Sequence, residues 1–213
     1  MKFEQFLESV PKIKNLPLPA VTSQLKMSPP FRRQLMVQYK EQMKRAKKAG
    51  VMALFFPNTS QETKIALILR KTYHGVHSAQ IGFPGGKLEP DDVDLEMAAV
   101  RETYEEIGVP QEHIEVLREL TDVYIPPSNF YVRPFIGIVR QTPEFLKQDD
   151  EVEDIVEVFL TDFLNEENVV NTSVETIYNR NVQVPAYILN DHIVWGATAM
   201  MLSEIKDLLK DAL

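Results

Sequence analysis

Phe83-Pro84-Gly85-Gly86-Lys87-Leu88-Glu89, followed by Arg101-Glu102-Thr103-Tyr104-Glu105-Glu106-Ile107-Gly108-Val109, is the stretch whose reading decides the fold. It opens as a glycine turn, passes through an acidic loop and becomes a helix predicted over 93–107, ended by Gly108. At about 100° per residue, Glu102, Glu105 and Glu106 fall on one side of that helix. Met97, Val100, Tyr104 and Ile107 follow the spacing of a core-facing stripe on the other side. The expectation is a helix anchored by one face that presents carboxylates on the opposite one.

Composition bounds the rest. The chain has 213 residues, 44% hydrophobic and 25% charged, ordinary for a globular domain. A net charge of −8 argues against general nucleic-acid binding, which needs a basic surface. Without cysteine there is no thiolate chemistry, so a metal would take oxygen or nitrogen ligands. No apolar run is long enough for a membrane span, and no signal peptide is visible, so a cytoplasmic location and no membrane partner are expected. The histidines at 74, 77, 113 and 192 make no HxxxH or HExxH spacing, which argues against zinc.

Outward from the central stretch, helix and strand signals alternate irregularly. Residues 3–10 read as a helix ended by Pro11, and Pro17, Pro19, Pro29 and Pro30 mark an extended arm. Residues 33–48 read as a helix whose last turn is the basic run Lys44–Lys48, with Gly50 just beyond. That run is a solvated helix end or, as the sharper alternative, a phosphate contact. Strands are expected at 51–56, 64–70, 79–83, 113–120, 131–139 and 151–160. A short helix follows at 161–164, then a hairpin of 175–178 with 182–189, and an amphipathic helix over 196–213. The fold class is α+β, with a mixed sheet.

Like charges four apart weaken a helix, and three carboxylates on one face, with Asp92 and Asp94 nearby, invite a cation. All-oxygen ligands suit Mg²⁺ or Mn²⁺, and magnesium typically combines one or two carboxylates with substrate phosphates. Gly85 and Gly86 let the backbone approach the metal or a phosphate. Arg101 is rotated off the Glu102 direction but can reach Glu105 or a loop carbonyl. The bland alternative is a solvated acidic face beside a plain turn.

The motif shifts that balance, because it resembles the Nudix box: Gly, five residues, Glu, seven residues, Arg-Glu-apolar-x-Glu-Glu-x-Gly-apolar. Gly86, Arg101-Glu102, Glu105-Glu106 and Gly108-Val109 match, with Thr103 at an apolar position. Asp92 replaces the first Glu, and eight residues separate it from Arg101. The longer box after Phe-Pro-Gly-Gly is similar to the coenzyme A pyrophosphatase branch. His77-Ser78-Ala79-Gln80-Ile81-Gly82-Phe83-Pro84-Gly85-Gly86-Lys87 carries that signature, with Ala79 where the branch has Gly and Gly75 near its Arg. Leu69-Arg70 matches an upstream element in part, and Val194-Trp195-Gly196-Ala197-Thr198-Ala199 resembles the branch's final helix start. The likeness runs from about 51 to 205.

The resemblance implies a Nudix α/β/α sandwich over 36–213, preceded by an N-terminal helix and arm at 1–35. Those first residues could cover the sheet, mediate a homodimer, or both. It implies Mg²⁺- or Mn²⁺-dependent hydrolysis of a diphosphate linkage in a small nucleotide substrate. For coenzyme A the products would be 3′,5′-ADP and 4′-phosphopantetheine. ADP-ribose or a dinucleotide is the alternative substrate, and a non-catalytic nucleotide-binding module the alternative class. Glu102 and Glu106 are the expected metal ligands, with Gly86 beside them. Glu105 is a ligand or the water-activating base, and Arg101 orients. Glu151 and Glu153 are candidates for a further acid. Arg70, His77, Ser128 and Asn129 are candidates for substrate contact, Ser128 and Asn129 also being readable as a rigid turn. Trp195 is read as packing or as a base-stacking group.

Overall fold

The computed structural model describes residues 1–71, 80–175 and 181–213. Four helices come first: α1 (Phe3–Asn15), α2 (Ala20–Lys26), α3 (Arg32–Gln38) and α4 (Lys40–Met43). Then come β1 (Lys47–Pro57), β2 (Thr63–Arg70), β3 (Ile81–Gly82), β4 (Gly85–Lys87) and helix α5 (Leu95–Ile107). They are followed by β5 (Glu115–Glu119), β6 (Val123–Ile125), β7 (Phe130–Ile138), β8 (Val152–Phe159) and α6 (Leu160–Leu164). Strands β9 (Val169–Val174), β10 (Val182–Leu189) and β11 (His192–Trp195) precede α7 (Gly196–Ala212).

The main sheet runs β3-β2-β1-β7-β5, with β4 on β1, β6 on β7 and β8 on β2. β1 and β7 pair in parallel, Lys47 opposite Phe130 through Phe55 opposite Ile138. The other pairings of this sheet among the described residues are antiparallel, so the sheet is mixed as expected. A second sheet orders β11-β10-β9. β10 thus finds its hairpin partner in Val169–Val174, earlier than the expected 175–178; of that expected strand, 176–178 lie outside the described residues.

β1 explains the layering. Its residues alternate between two cores: Ala49, Val51, Ala53 and Phe55 face one, while Met52, Leu54 and Phe56 face the other. The first core holds Phe3, Phe6 and Ile13 of α1 with the apolar face of α7; the second holds Ala99 and Ile107 of α5. A strand covered on both faces has no polar side to show, which is why its sequence reads as an unbroken apolar run.

Several local expectations change. Pro11 lies inside α1 and does not end it. A proline there removes one helical hydrogen bond, but fully buried Ile13 holds the last turn against the core. The arm is also partly helical, because α2 packs on α7: the Ser203 hydroxyl donates to the Ser23 carbonyl at 2.7 Å, and the Gln24 amide donates to Glu204 at 2.8 Å. Lys47 and Lys48 open β1 and are not the last helical turn, because their backbone pairs with Phe130 and Tyr131.

α5 begins where the Asp94 side chain accepts from the Met97 N–H at 2.9 Å, and ends at Gly108, whose φ of 75° is the left-handed value glycine tolerates. Its buried face matches the expected stripe only in part, at Ile107 and partly buried Val100. Met97 and Tyr104 are 41% and 50% exposed, whereas Ala98, Ala99, Thr103, Glu106 and Ile107 are buried. The cause is close approach to β1. A Cβ on Gly50 would stand 2.0 Å from the Leu95 carbonyl oxygen and 3.2 Å from Ala99 Cβ. Only small residues fit a helix lying that near a strand. Gly50→Ala is therefore expected to lower the chemical-denaturation stability by about 3 kcal/mol or more, because backbone must move. A variant with an unchanged denaturation midpoint would contradict this contact.

Candidate active site

The tight seating of α5 has a chemical result: it turns Glu106 inward, toward the β4 turn. The Gly85 N–H donates to Glu106 Oε2 at 2.7 Å. Arg70, at the end of β2, places a guanidinium nitrogen 3.2 Å from Glu106 Oε1 and donates to the Gly85 carbonyl at 3.1 Å. Although that nitrogen is near, Glu106 Oε1 is buried and receives no hydrogen bond among the described residues. Burial pushes the Glu106 carboxyl up to about 7, against the opposing pull of Arg70 and the Gly85 N–H.

One turn earlier, Glu102 lies against Gly86. A Cβ at Gly86 would fall 2.2 Å from Glu102 Oε1, so the glycine is what lets the carboxylate lie on the backbone. Burial also raises the Glu102 carboxyl, with Arg101 lowering it in part. The carboxylate of Glu151 raises both Glu102 and Glu106 further; Glu105 adds to the rise at Glu102, and Glu102 to that at Glu106.

Arg101 is the organiser of the acidic loop. Its Nε and Nη2 donate to the two Asp92 oxygens, each at 3.0 Å, a bidentate fork. Nη1 donates to Glu105 at 3.0 Å and Nη2 to the Lys87 carbonyl at 3.2 Å. The guanidinium also lies 3.2 Å from Glu102 Oε1. This ties the loop after β4 to the helix that carries the glutamates. The Arg101 partnership holds the Asp92 carboxyl below its usual range, and Arg101 itself stays protonated.

The structure thus brings Glu102, Glu106, Gly86, Arg70 and Arg101 together. Glu105 is on the half-exposed side, committed to Arg101. Glu151 is on the loop whose Gln148 N–H donates to the Glu106 carbonyl at 3.0 Å, near enough for its charge to be felt. Glu153 is elsewhere, its carbonyl taking Lys147 Nζ at 3.0 Å. His77, and with it Gly75 and Ala79, lies outside the described residues.

A cleft of about 510 Å³ meets this site at Arg70, Gly85 and Gly86. Glu102 and Glu106 do not line it; they lie behind that glycine wall. Ser128 and Trp195 are in its lining. Asn129 is not, and it shapes the turn instead. Its φ is 55°, and its side-chain oxygen accepts from the Tyr124 hydroxyl at 2.9 Å. Arg32 and Lys87 also line the cleft. Arg32 lies outside the motif and Lys87 closes the quoted signature; as single basic residues, neither carried a signal of its own in the sequence.

Among the described residues no group of three or more acidic or histidine side chains is spaced to hold a metal alone. Two carboxylates suffice for magnesium when substrate phosphates complete the shell. The unbonded Glu106 oxygen, the raised carboxyls and the glycine bed under Glu102 all fit such an ion.

A model of the NUDIX domain matches residues 46–177. The chain belongs to the Nudix family. The Nudix hydrolase 15 of Arabidopsis thaliana, a mitochondrial protein, is 29% identical over 167 residues, covering 73% of this chain and 56% of that protein. This chain therefore spans little more than half the length of that relative. An uncharacterised Nudix hydrolase, NudL, of Yersinia pestis is 28% identical over 155 residues, 72% of this chain and 76% of the relative. Among solved structures, a MutT/nudix family protein from Enterococcus faecalis superposes with a TM-score of 0.52 at 18% identity, over 84% of this chain and 69% of that one. These likenesses agree with the Nudix family match and with the mixed-sheet fold. Among the described residues no helix is long and apolar enough to cross a membrane.

Proposed function

We propose that the domain hydrolyses the diphosphate linkage of a nucleoside diphosphate derivative with Mg²⁺ or Mn²⁺, and that coenzyme A or an acyl-coenzyme A is the substrate. The observation carrying the reaction is the Glu106 carboxylate, buried with one oxygen unbonded beside the Gly85–Gly86 backbone. Glu102 and Glu106 would hold the metal, with Gly86 leaving room for it. When bound, the metal would neutralise phosphate charge and acidify a water.

The chain's own groups have separable roles. Arg70 offsets charge at Glu106 and borders the cleft, where it can meet a phosphate oxygen. Arg101, forked onto Asp92, keeps the loop and helix in register so that Glu102 stays on Gly86. Glu105 or Glu151 is left to accept the water's proton, Glu105 from the exposed helix face and Glu151 from the neighbouring loop.

The choice of coenzyme A is supported by where the two distinctive segments meet. Ile81-Gly82-Phe83 and Trp195-Gly196-Ala197-Thr198 border the same cleft, and the Thr198 hydroxyl donates to the Ile81 carbonyl at 3.0 Å. Trp195, in the lining, is the group we assign to an apolar or aromatic part of the substrate. Incubation with Mg²⁺ and, separately, coenzyme A, ADP-ribose, NADH and nucleoside triphosphates, with identification of products, tests the reading. Release of 3′,5′-ADP from coenzyme A is expected. Turnover of ADP-ribose or NADH alone would move the substrate, and no product from any compound would reduce the domain to a binding module.

A further inference from the structure

We infer that Gln148 is a positioning residue: it fastens the loop before β8 to the end of the glutamate helix and so holds the Glu151 carboxylate against the site of Glu102 and Glu106. The inference rests on the proposed reading of those two glutamates as metal ligands, and it makes Glu151, not Glu105, the further acid of the site.

A helix leaves its last carbonyls without partners of its own. In α5 two of them are taken by one loop: the Leu146 N–H donates to the Ile107 carbonyl and the Gln148 N–H to the Glu106 carbonyl, each at 3.0 Å. Gly108 lets the loop come this close, since a Cβ there would stand 2.9 Å from the Leu146 carbonyl oxygen. From this foothold the Gln148 side chain turns back on its own loop. Its Oε1 accepts from the Asp150 N–H at 2.7 Å and from the Glu151 N–H at 2.8 Å. Its carbonyl accepts from the N–H of fully buried Val152 at 2.9 Å, where β8 begins. The Glu151 carbonyl in turn accepts from the Lys71 N–H at 2.9 Å. The backbone of Glu151 is thereby held at both its donor and its acceptor. Gln148 is half-buried, whereas Lys147, Asp149, Asp150 and Glu151 are exposed.

The Glu151 side chain, by contrast, has no partner among the described residues, and Lys147 of the same loop is taken by Asp149 at 2.9 Å. Glu105, the other candidate, already holds Arg101. The unpaired Glu151 charge raises both Glu102 and Glu106, a repulsion that a bound cation would relieve. The described acidic groups make no set of three spaced to hold a metal, so Glu151 would act on the ion's charge from outside direct ligation. Groups placed in that way change metal affinity about 10–100-fold. An exposed carboxylate on a loosely held loop would be screened by solvent and salt; a fixed backbone confines it near the glutamates.

Titration with Mn²⁺ alone, followed by the paramagnetic resonance of the free ion, tests this without turnover. Glu151→Gln is expected to weaken Mn²⁺ binding about ten-fold. Gln148→Met, which keeps the length and loses the acceptor, should weaken it about three-fold or more in the wild type and not at all in Glu151→Gln. Gln148→Asn, whose shorter side chain can accept from the same N–H groups, should keep most of the affinity. A loop that only braces the fold would give equal losses in both backgrounds, and that result overturns the inference. So does unchanged affinity in Glu151→Gln, which needs no variant at position 148 to fold. Absence of Mn²⁺ binding by the wild type overturns the metal reading together with the inference. If the Mn²⁺ pattern holds and coenzyme A is not hydrolysed, the role of Gln148 stands and the substrate reading falls.

Discussion

Glu106→Gln should lower turnover by on the order of 10²-fold or more while making the metal-free protein more stable at alkaline pH. The activity side follows from position. Changing groups one step removed from a metal already costs about 10–100-fold, and Glu106 is proposed as a ligand. The stability side follows from burial. The folded carboxyl titrates at about 7 against an ordinary value of 4.5. A raised carboxyl favours the folded state fully below about 4.5 and loses that contribution as pH rises through about 7. With the glutamate 2% exposed, the loss is about 3 kcal/mol. Glutamine keeps the acceptor for the Gly85 N–H but carries no charge to desolvate. In chelator, denaturation at pH 5 and pH 8 should show wild type losing stability relative to the variant. Full turnover in the variant would remove Glu106 from the site, and a pH-independent difference would remove the burial argument.

Gly86→Ala separates catalysis from folding in another way. The new Cβ would meet the Glu102 carboxylate, the far end of a side chain that can swing aside. The fold should survive within about 1 kcal/mol, and kcat/KM should fall on the order of 10²-fold, the scale of a misplacement of about 1 Å. The contrast is Gly50→Ala, where the obstacle is the Leu95 backbone. Undiminished kcat/KM in Gly86→Ala would show that Glu102 need not lie on that turn.

Much of this was legible in residue order. The β1 run, α5 with its glycine stop, α7 and the mixed sheet follow from periodicity and turn residues. The spacing of Arg101, Glu102, Glu105 and Glu106 pointed to the candidate site. The face of α5 was not legible, because the largest apolar residues do not mark a helix pressed against a strand at Gly50. There the small side chains go inward, and Met97 and Tyr104 are left outside. Helix α2 was hidden by its flanking prolines, since its stability comes from Gln24 and Ser23 contacts with α7.

The parallel alignment of β1 with β7 sets the order in which the molecule can assemble. Lys47 must find Phe130 with β2, the glycine turn and all of α5 strung between them. Closing so long a loop has an entropic cost that only late contacts recover, so the central pairing belongs to a slow step. The local β1–β2 hairpin can form early, but the cleft wall built from β7 and β6 cannot. A growing chain would therefore complete the glutamate helix before the strands that wall the cleft are made.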